Sequence, residues 1–513
     1  MLLALVLLTA VAWNRSAEYD EQYTLFLTAG TARPVWPDTA FPASLIIETQ
    51  TGQAGFAAIS SDLRLTDVHP PLYFWAAAAW RWAFGGGLFA VRMLSVCFGL
   101  GSLAAVGVIA RRSGIVPWLA MLLTLGCYGF AYTAGIARGF ALAEMLLLCG
   151  IACALAGHRG SAGALVGAAV LSNYLAVFVA LAALYWRDLA KPVIPGFVPG
   201  TNTAWKAENC AYPGPQDKPG DDGSLGPSPP ILARMERRGH QLIQPLSAWI
   251  TFSPALLLAF WYFIAQKGSR TGQFPPFDVL SALNRIARYG AANLTGGLPL
   301  YVTDTARPFV TAILAIGLGL LLVRTMRAGR LLATAIATPL GLLALGVAFD
   351  NTPIELRYLS FSVPLAALLV TGSVHRRPWI LSAILSVQTL SIAGLIARPE
   401  TMQPAKATAT AAAMAGADVV ILPRGNDGIG IVGAFAREAP AAMKLLVIAP
   451  GETAEAIRTR VAPYHRIVLA PIAVDTDSQA AVPAMQAAFS APGWHTVGFG
   501  SNVILYERVA NGD

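Results

Sequence analysis

Glu18, Asp20 and Glu21 put three carboxylates within four positions, directly after an apolar stretch at residues 1–13. An ionised carboxylate at the mouth of a membrane cavity suits a general base, which takes a proton from a poor nucleophile such as a hydroxyl. The plainer alternative is a solvated acidic turn. Downstream comes Asp67-Val68-His69-Pro70-Pro71-Leu72-Tyr73, where two prolines fix the entry of a helix and hold His69 just before it. Arg92, Arg138 and Arg357, the last followed by Tyr358, each stand at the start of an apolar stretch. A single arginine there would snorkel to lipid headgroups. Several on one membrane face point to a bound anion, most simply a phosphate. Glu144 lies roughly 9 Å along a helix from Arg138 at 1.5 Å per residue. A carboxylate at that depth needs a partner, and one of these arginines is expected to supply it.

These residues need elements that hold them at a membrane surface, and the composition supplies them. Of 513 residues, 55% are apolar and only 12% charged, about half the charge of a soluble globular chain. The mean hydropathy is +0.57. A soluble enzyme and a disordered chain are both excluded, and a polytopic α-helical membrane protein is expected. The net charge of +8 has no basic run or aromatic stripe behind it, so no nucleic-acid partner is implied. The five cysteines (Cys97, Cys127, Cys149, Cys153 and Cys210) show no metal spacing, and four lie in apolar stretches.

Apolar segments at 1–13, 93–110, 113–137, 139–157, 160–186, 241–266, 308–323, 331–349, 358–374 and 378–397 give about eleven transmembrane helices, with 160–186 read as two short helices broken at Ser172-Asn173-Tyr174. Residues 1–13 read as a first transmembrane helix with a truncated start rather than a cleaved signal, since no positive segment precedes them. Basic clusters recur after alternate spans: Arg111-Arg112, His158-Arg159, Arg187, Arg324/Arg327/Arg330 and His375-Arg376-Arg377. Cytoplasmic loops carry such clusters. They stay together on one face only if the helix at 70–84 lies on the opposite surface without crossing. The outer loops are then 14–91 and 267–307, with the C-terminal region also outside, in the periplasm if the chain sits in a cytoplasmic (inner) membrane.

Fifteen of the forty residues 191–230 are Pro or Gly, so 189–240 reads as a disordered cytoplasmic loop. From 405 to 513, short apolar runs (Val419–Leu422, Leu445–Ala449, Ile467–Ala470, Asn502–Tyr506) alternate with Ala-rich helical stretches. They predict a small extracytoplasmic α/β domain with a largely parallel sheet, separate from a transmembrane domain at 1–400. Gly428-Ile429-Gly430-Ile431-Val432-Gly433 matches a dinucleotide fingerprint. Outside the cytoplasm it is better read as a glycine-rich loop leading into a helix.

Asp20-Glu21 after the first helix, His69-Pro70-Pro71-Leu72-Tyr73, the Arg92 and Arg138 corners and Arg357-Tyr358-Leu359 together resemble the GT-C glycosyltransferases. The nearest branch is that of the protein O-mannosyltransferases and the lipid A aminoarabinose transferase. The resemblance covers most of residues 1–400 in order. It implies a polyprenyl-phosphate sugar donor, an acceptor bound from the outer face and Asp20 as catalytic base, with Glu21 beside it. His69, Arg92, Arg138, Arg357 and Tyr358 would then serve the donor phosphate, supported by Asp67, Tyr73, Glu144, Asn173 and Tyr174.

The chemistry is consistent with that residue set. One carboxylate activates the acceptor hydroxyl, cations receive the charge that develops on the departing lipid phosphate, and a single displacement inverts the anomeric centre. No cofactor is required beyond the donor. A divalent metal at the outer carboxylates is possible chemistry, but no ligand spacing demands it. The expected partners are the bilayer, the lipid-linked donor and a lipid, polysaccharide or protein acceptor. A lipid or glycan flippase is the main alternative, and would show internal repeats and charges near the bilayer midplane. A sensor with a ligand-binding outer domain would leave the first-loop carboxylates without a role.

Overall fold

The computed structural model describes residues 1–184, 231–266, 274–324, 329–398, 403–426, 428–490, 493–498 and 503–508. Among the described residues, every apolar segment counted from the sequence contains helix. Among the described residues, five helices are long and apolar enough to cross a bilayer: Leu88–Arg112, Leu246–Ala265, Leu331–Phe349, Leu356–Val374 and Pro378–Ala397. Leu2–Asn14, Phe140–Leu155 and Arg307–Leu321 are shorter apolar helices. The chain is a polytopic helical membrane protein carrying a small C-terminal α/β domain.

Breaks in the helices fall at polar or glycine positions. The run 160–186 divides into Arg159–Ser172 and Ala176–Leu184, and the extended backbone of Asn173 (φ −155°) ends the first helix. The run 113–137 also divides, into Pro117–Leu125 and Tyr128–Ala134. After Pro70-Pro71 the helix Leu72–Phe84 has 13 residues. At 1.5 Å per residue it reaches about 20 Å, short of a ~30 Å hydrocarbon core. Most of the 189–240 segment lies outside the described residues. Its last ten residues were expected in the loop and instead begin the helix Ile231–Ala265, because the Pro/Gly-rich composition stops at Pro230.

The helix Tyr19–Ala29 carries the acidic cluster. A capping box starts it: the Glu18 side chain accepts from the Glu21 backbone, and the Glu21 side chain accepts from the Glu18 backbone. Gly30 ends it in the left-handed region (φ +75°), donating its N–H to Phe26.

The sheet of the C-terminal domain is mixed, where a largely parallel one was expected. Its strands are β1 (Phe41–Pro42), β2 (Val419–Pro423), β3 (Lys444–Ile448), β4 (Arg466–Leu469), β5 (Trp494–Gly498) and β6 (Ile504–Arg508), in spatial order β1-β3-β2-β4-β6-β5. Only β2 with β3 and β2 with β4 run parallel. The two outer pairings at one edge are antiparallel, as β5 and β6 follow each other too closely in sequence for a crossover connection. At the other edge β1, from the first loop, pairs antiparallel with β3 in the register Phe41↔Leu445. The domain is therefore not confined to 405–513. Side chains alternate across the sheet. Val420, Leu422, Leu445 and Val447 pack under Ala409, Val432 and Phe435, while Val419, Ile421, Leu446 and Ile448 pack under Ile457, Val461 and Met485. Both faces are covered by helices.

The glycine run has a packing role. Gly428 adopts φ +74° and accepts a hydrogen bond from the Trp36 indole at 2.7 Å. A Cβ at Gly430 would lie 2.3 Å from the Tyr19 ring, and one at Gly433 would lie 3.1 Å from Gln22. The absent side chains let the helix Gly430–Glu438 lie directly against the helix that carries Asp20.

Candidate functional site

Asp20, Asp67, His69, Arg138, Arg357 and Tyr358 converge on one cavity of about 580 Å³. The elements that bring them there are the start of the Tyr19–Ala29 helix, the loop before Pro70, the corner before the Phe140–Leu155 helix and the 3-10 turn Leu356–Ser362. Gly139 makes the Arg138 corner tight, since a Cβ there would lie 2.5 Å from the carbonyl of Ser172.

Asp20 forms an ion pair with Arg357, which also binds Glu355 at 2.6 Å. Arg138, 2% exposed, donates to the backbone carbonyl of Asp20 at 3.0 Å and places Nη2 3.0 Å from both ring nitrogens of His69. His69 Nδ1 lies 3.0 Å from Asp67. Tyr174 donates to Gln266 (2.9 Å), and Gln266 donates to the backbone carbonyl of His69 (2.9 Å). The break at Asn173-Tyr174 thus steadies His69 from behind.

Burial alone would raise the Asp20 pKa, but Arg357, Arg138 and His69 outweigh it and hold the carboxyl below its usual range. Burial likewise opposes ionisation of Asp67, yet His69 and Arg138 bring it down to about 2. His69 is pushed below its ordinary 6.5, first by burial and then by Arg138. Both carboxyls are therefore charged and His69 neutral at neutral pH.

A pH dependence of stability follows. Below 6.5 an unfolded histidine takes a proton before the folded His69 does, so stability should fall as pH drops from that point toward the folded pKa. The lowered Asp20 and Asp67 lose their contributions only below the unfolded carboxylate value of about 3.9, outside that window. Apparent Tm in detergent should accordingly fall between pH 6.5 and 5, and His69→Gln should flatten that part of the profile. An unchanged slope in the variant would assign the effect to other groups.

Several expected residues stand elsewhere. Glu21 is fully buried and does not line the cavity. Arg92 holds it with two hydrogen bonds at 2.7 and 2.5 Å, and it also accepts from the Ala137 backbone at 2.8 Å. Arg92 spends its remaining donors on the carbonyls of Ala12, Arg15 and Ser16. This pair fastens the Leu88–Arg112 helix to the turn before Asp20 and leaves no group for a ligand. Tyr73 is buried against Ser95 (3.4 Å). Glu144 forms no ion pair among the described residues, and its Oε2 is buried without a partner. Arg138 lies in the corner before that helix and spends its guanidinium on the Asp20 carbonyl and His69, so the expected pairing does not form.

Other lining residues went unnoticed in the sequence: Tyr19, Arg33, Arg285, Glu355, Asn426 and Asp475. Arg285 lies on the helix Val279–Leu294, started by Asp278 accepting from Ser281 at 2.6 Å. That cap, with Leu283 and Arg285 beyond it, was the available signal inside a segment read as loop. Arg285 makes no ion pair or hydrogen bond among the described residues. Among those residues, no three His, Cys, Asp or Glu side chains converge in a metal-binding group.

No protein-family model and no curated protein matches the chain. Solved structures similar to it include ArnT from Cupriavidus metallidurans in the apo state, 12% identical with a TM-score of 0.46, covering 95% of this chain and 96% of that one. ArnT from the same organism bound to undecaprenyl phosphate is 12% identical with a TM-score of 0.45, covering 99% and 98%. Arabinofuranosyltransferase AftD from Mycobacteria is 16% identical with a TM-score of 0.32, covering 99% of this chain and 41% of that one. Both are glycosyltransferases of the GT-C group.

Proposed function

We propose that this chain is an integral membrane glycosyltransferase that moves a sugar from a polyprenyl-phosphate donor to an acceptor hydroxyl at the outer membrane face. The observation that carries the proposal is the cavity in which the ionised Asp20 meets Arg357, Arg138 and a neutral His69. The acceptor oxygen attacks the anomeric carbon, and its proton passes to the Asp20 carboxylate. The bond from that carbon to the phosphate oxygen breaks with its electron pair moving onto the phosphate. Arg138, Arg357 and the unpaired Arg285 stabilise the charge that appears there. The configuration inverts because displacement occurs once.

The Asp20–Arg357 pair adds an order to these events. While paired, Asp20 is a weak base. A donor phosphate competes for Arg357, and as that charge is shared the carboxylate becomes more basic. Proton removal therefore becomes efficient only with donor in place, which limits wasteful activation of acceptor.

Transfer from a radiolabelled polyprenyl-phosphate sugar in membranes containing the chain tests this reading. Labelled product that depends on the chain supports it. Export of labelled donor without any transfer would favour the flippase.

The orientation has its own measurement. Arg92 and Arg111 mark the two ends of the Leu88–Arg112 helix, about 28 Å apart at 1.5 Å per residue. With the cavity outside, the basic clusters lie in the cytoplasm. In a background without native cysteines, His158→Cys should label only after the inner face is opened. Ser490→Cys should label in intact cells. Labelling of His158→Cys from outside would reverse the topology.

A further inference from the structure

The cavity has lining groups that the donor phosphate leaves unused, and they come from the C-terminal domain and its junction. Asn426, Val474 and Asp475 line it together with Gln403, Tyr19 and Tyr23. The Tyr23 hydroxyl donates to the Tyr19 hydroxyl at 2.8 Å, and the latter donates to Asp475 Oδ2 at 3.2 Å. The backbone N–H of Asn426 donates to that same oxygen at 3.2 Å, and the Asn426 side-chain oxygen accepts from the Asp477 backbone at 3.2 Å. No hydrogen bond to the Asn426 amide nitrogen or to the Gln403 side chain is made by any described residue. Arg33 also lines the cavity, where Asp67, Asp62 and Tyr19 act on it electrostatically.

We infer that this rim is the acceptor subsite and that it takes a neutral, hydroxyl-rich acceptor, a saccharide. The inference rests on the transferase reading and names its second substrate. The open Asn426 amide nitrogen donates and the Gln403 amide both donates and accepts, as sugar hydroxyls require, and the phenols add flat faces beside them. The Asp475 carboxylate accepts from hydroxyls and repels an acceptor bearing its own phosphate or carboxylate. Tyr19 and Asp20 line the same cavity, so a hydroxyl held at this rim shares that cavity with the base that deprotonates it. The first loop and the C-terminal domain meet here through β1 and the glycine-packed helix, so neither builds the subsite alone.

The test uses the purified full-length chain with polyprenyl-phosphate mannose and polyprenyl-phosphate arabinose, both labelled, as donor probes. Three acceptors are offered: a neutral mannan oligosaccharide, a Ser/Thr-rich peptide and a phosphorylated glycolipid. Undecaprenyl phosphate binding is measured separately. Label should enter the oligosaccharide. Asn426→Ala and Gln403→Ala should each raise its KM about five- to tenfold, the loss of one or two neutral hydrogen bonds, while kcat and undecaprenyl phosphate affinity hold. Transfer confined to the peptide or the phosphorylated glycolipid overturns the inference, as does an unmoved KM in both variants or no label in the oligosaccharide. Failure of the wild-type chain to bind undecaprenyl phosphate would instead remove the transferase reading beneath it.

Discussion

Asp20→Asn should lower sugar transfer by a factor of about 10²–10⁴, the usual contribution of a general base. Asparagine keeps the side-chain volume and still accepts a hydrogen bond from Arg357, so expression and thermal stability should change little. It cannot take a proton at neutral pH. Donor binding should persist or tighten, because Arg357 is left with Glu355 as its one carboxylate partner. Single-turnover transfer with saturating donor is the decisive measurement, since it isolates the chemical step from lipid binding. Glu21→Gln makes the contrasting control. That carboxyl is buried on Arg92 and outside the cavity lining, so its loss should appear first as instability. Wild-type turnover by Asp20→Asn would remove the assigned base.

Replacing Arg138 or Arg357 should weaken donor use more than acceptor use. A charge-assisted hydrogen bond is worth about 1.5–3 kcal/mol, roughly a 10- to 150-fold change in affinity. Alanine at either position should raise the donor KM within that range. Lysine should recover part of the loss and glutamine much less, because lysine restores the charge without the guanidinium fork. Arg138 carries a second duty through the Asp20 carbonyl and His69, so Arg138→Lys should recover less than Arg357→Lys. Equal behaviour of Lys and Gln variants would show that charge is not the operative feature.

The membrane portion was legible in the sequence because its signals are local. Apolar runs, basic corners and the Ser172-Asn173-Tyr174 break all mark structure within a few residues of themselves. Asp20 and His69 stood out by an acidic cluster and a Pro-Pro corner, and Arg138 and Arg357 as cations opening apolar stretches, while Asp67 and Tyr358 came with them through the family resemblance. Long-range pairing was not legible. Nothing near Phe41 announces that it will pair with Leu445, since a two-residue strand has no periodicity to detect. Glu21 and Asp20 are neighbours of like chemistry, yet one helical step of about 100° turns the first into a buried brace and the second into the cavity. The Gly428–Gly433 run satisfied a nucleotide motif by composition, while its actual partner, the Tyr19–Ala29 helix, lies some four hundred positions earlier.

Pairing of Phe41 with Leu445, and seating of Gly430 on Tyr19, also set a schedule for biosynthesis. The helix bearing Asp20 leaves the ribosome well before the elements of the C-terminal domain. The strand and helix that pack on this region follow some four hundred positions later, so these contacts close very long loops and form late. Until the C-terminal domain has been synthesised and delivered to the same side of the membrane, the Asp20 helix lacks its packing partner and the cavity lacks Asn426 and Asp475. A chain halted before Gly430 is accordingly expected to insert its helices while leaving the cavity without its C-terminal wall.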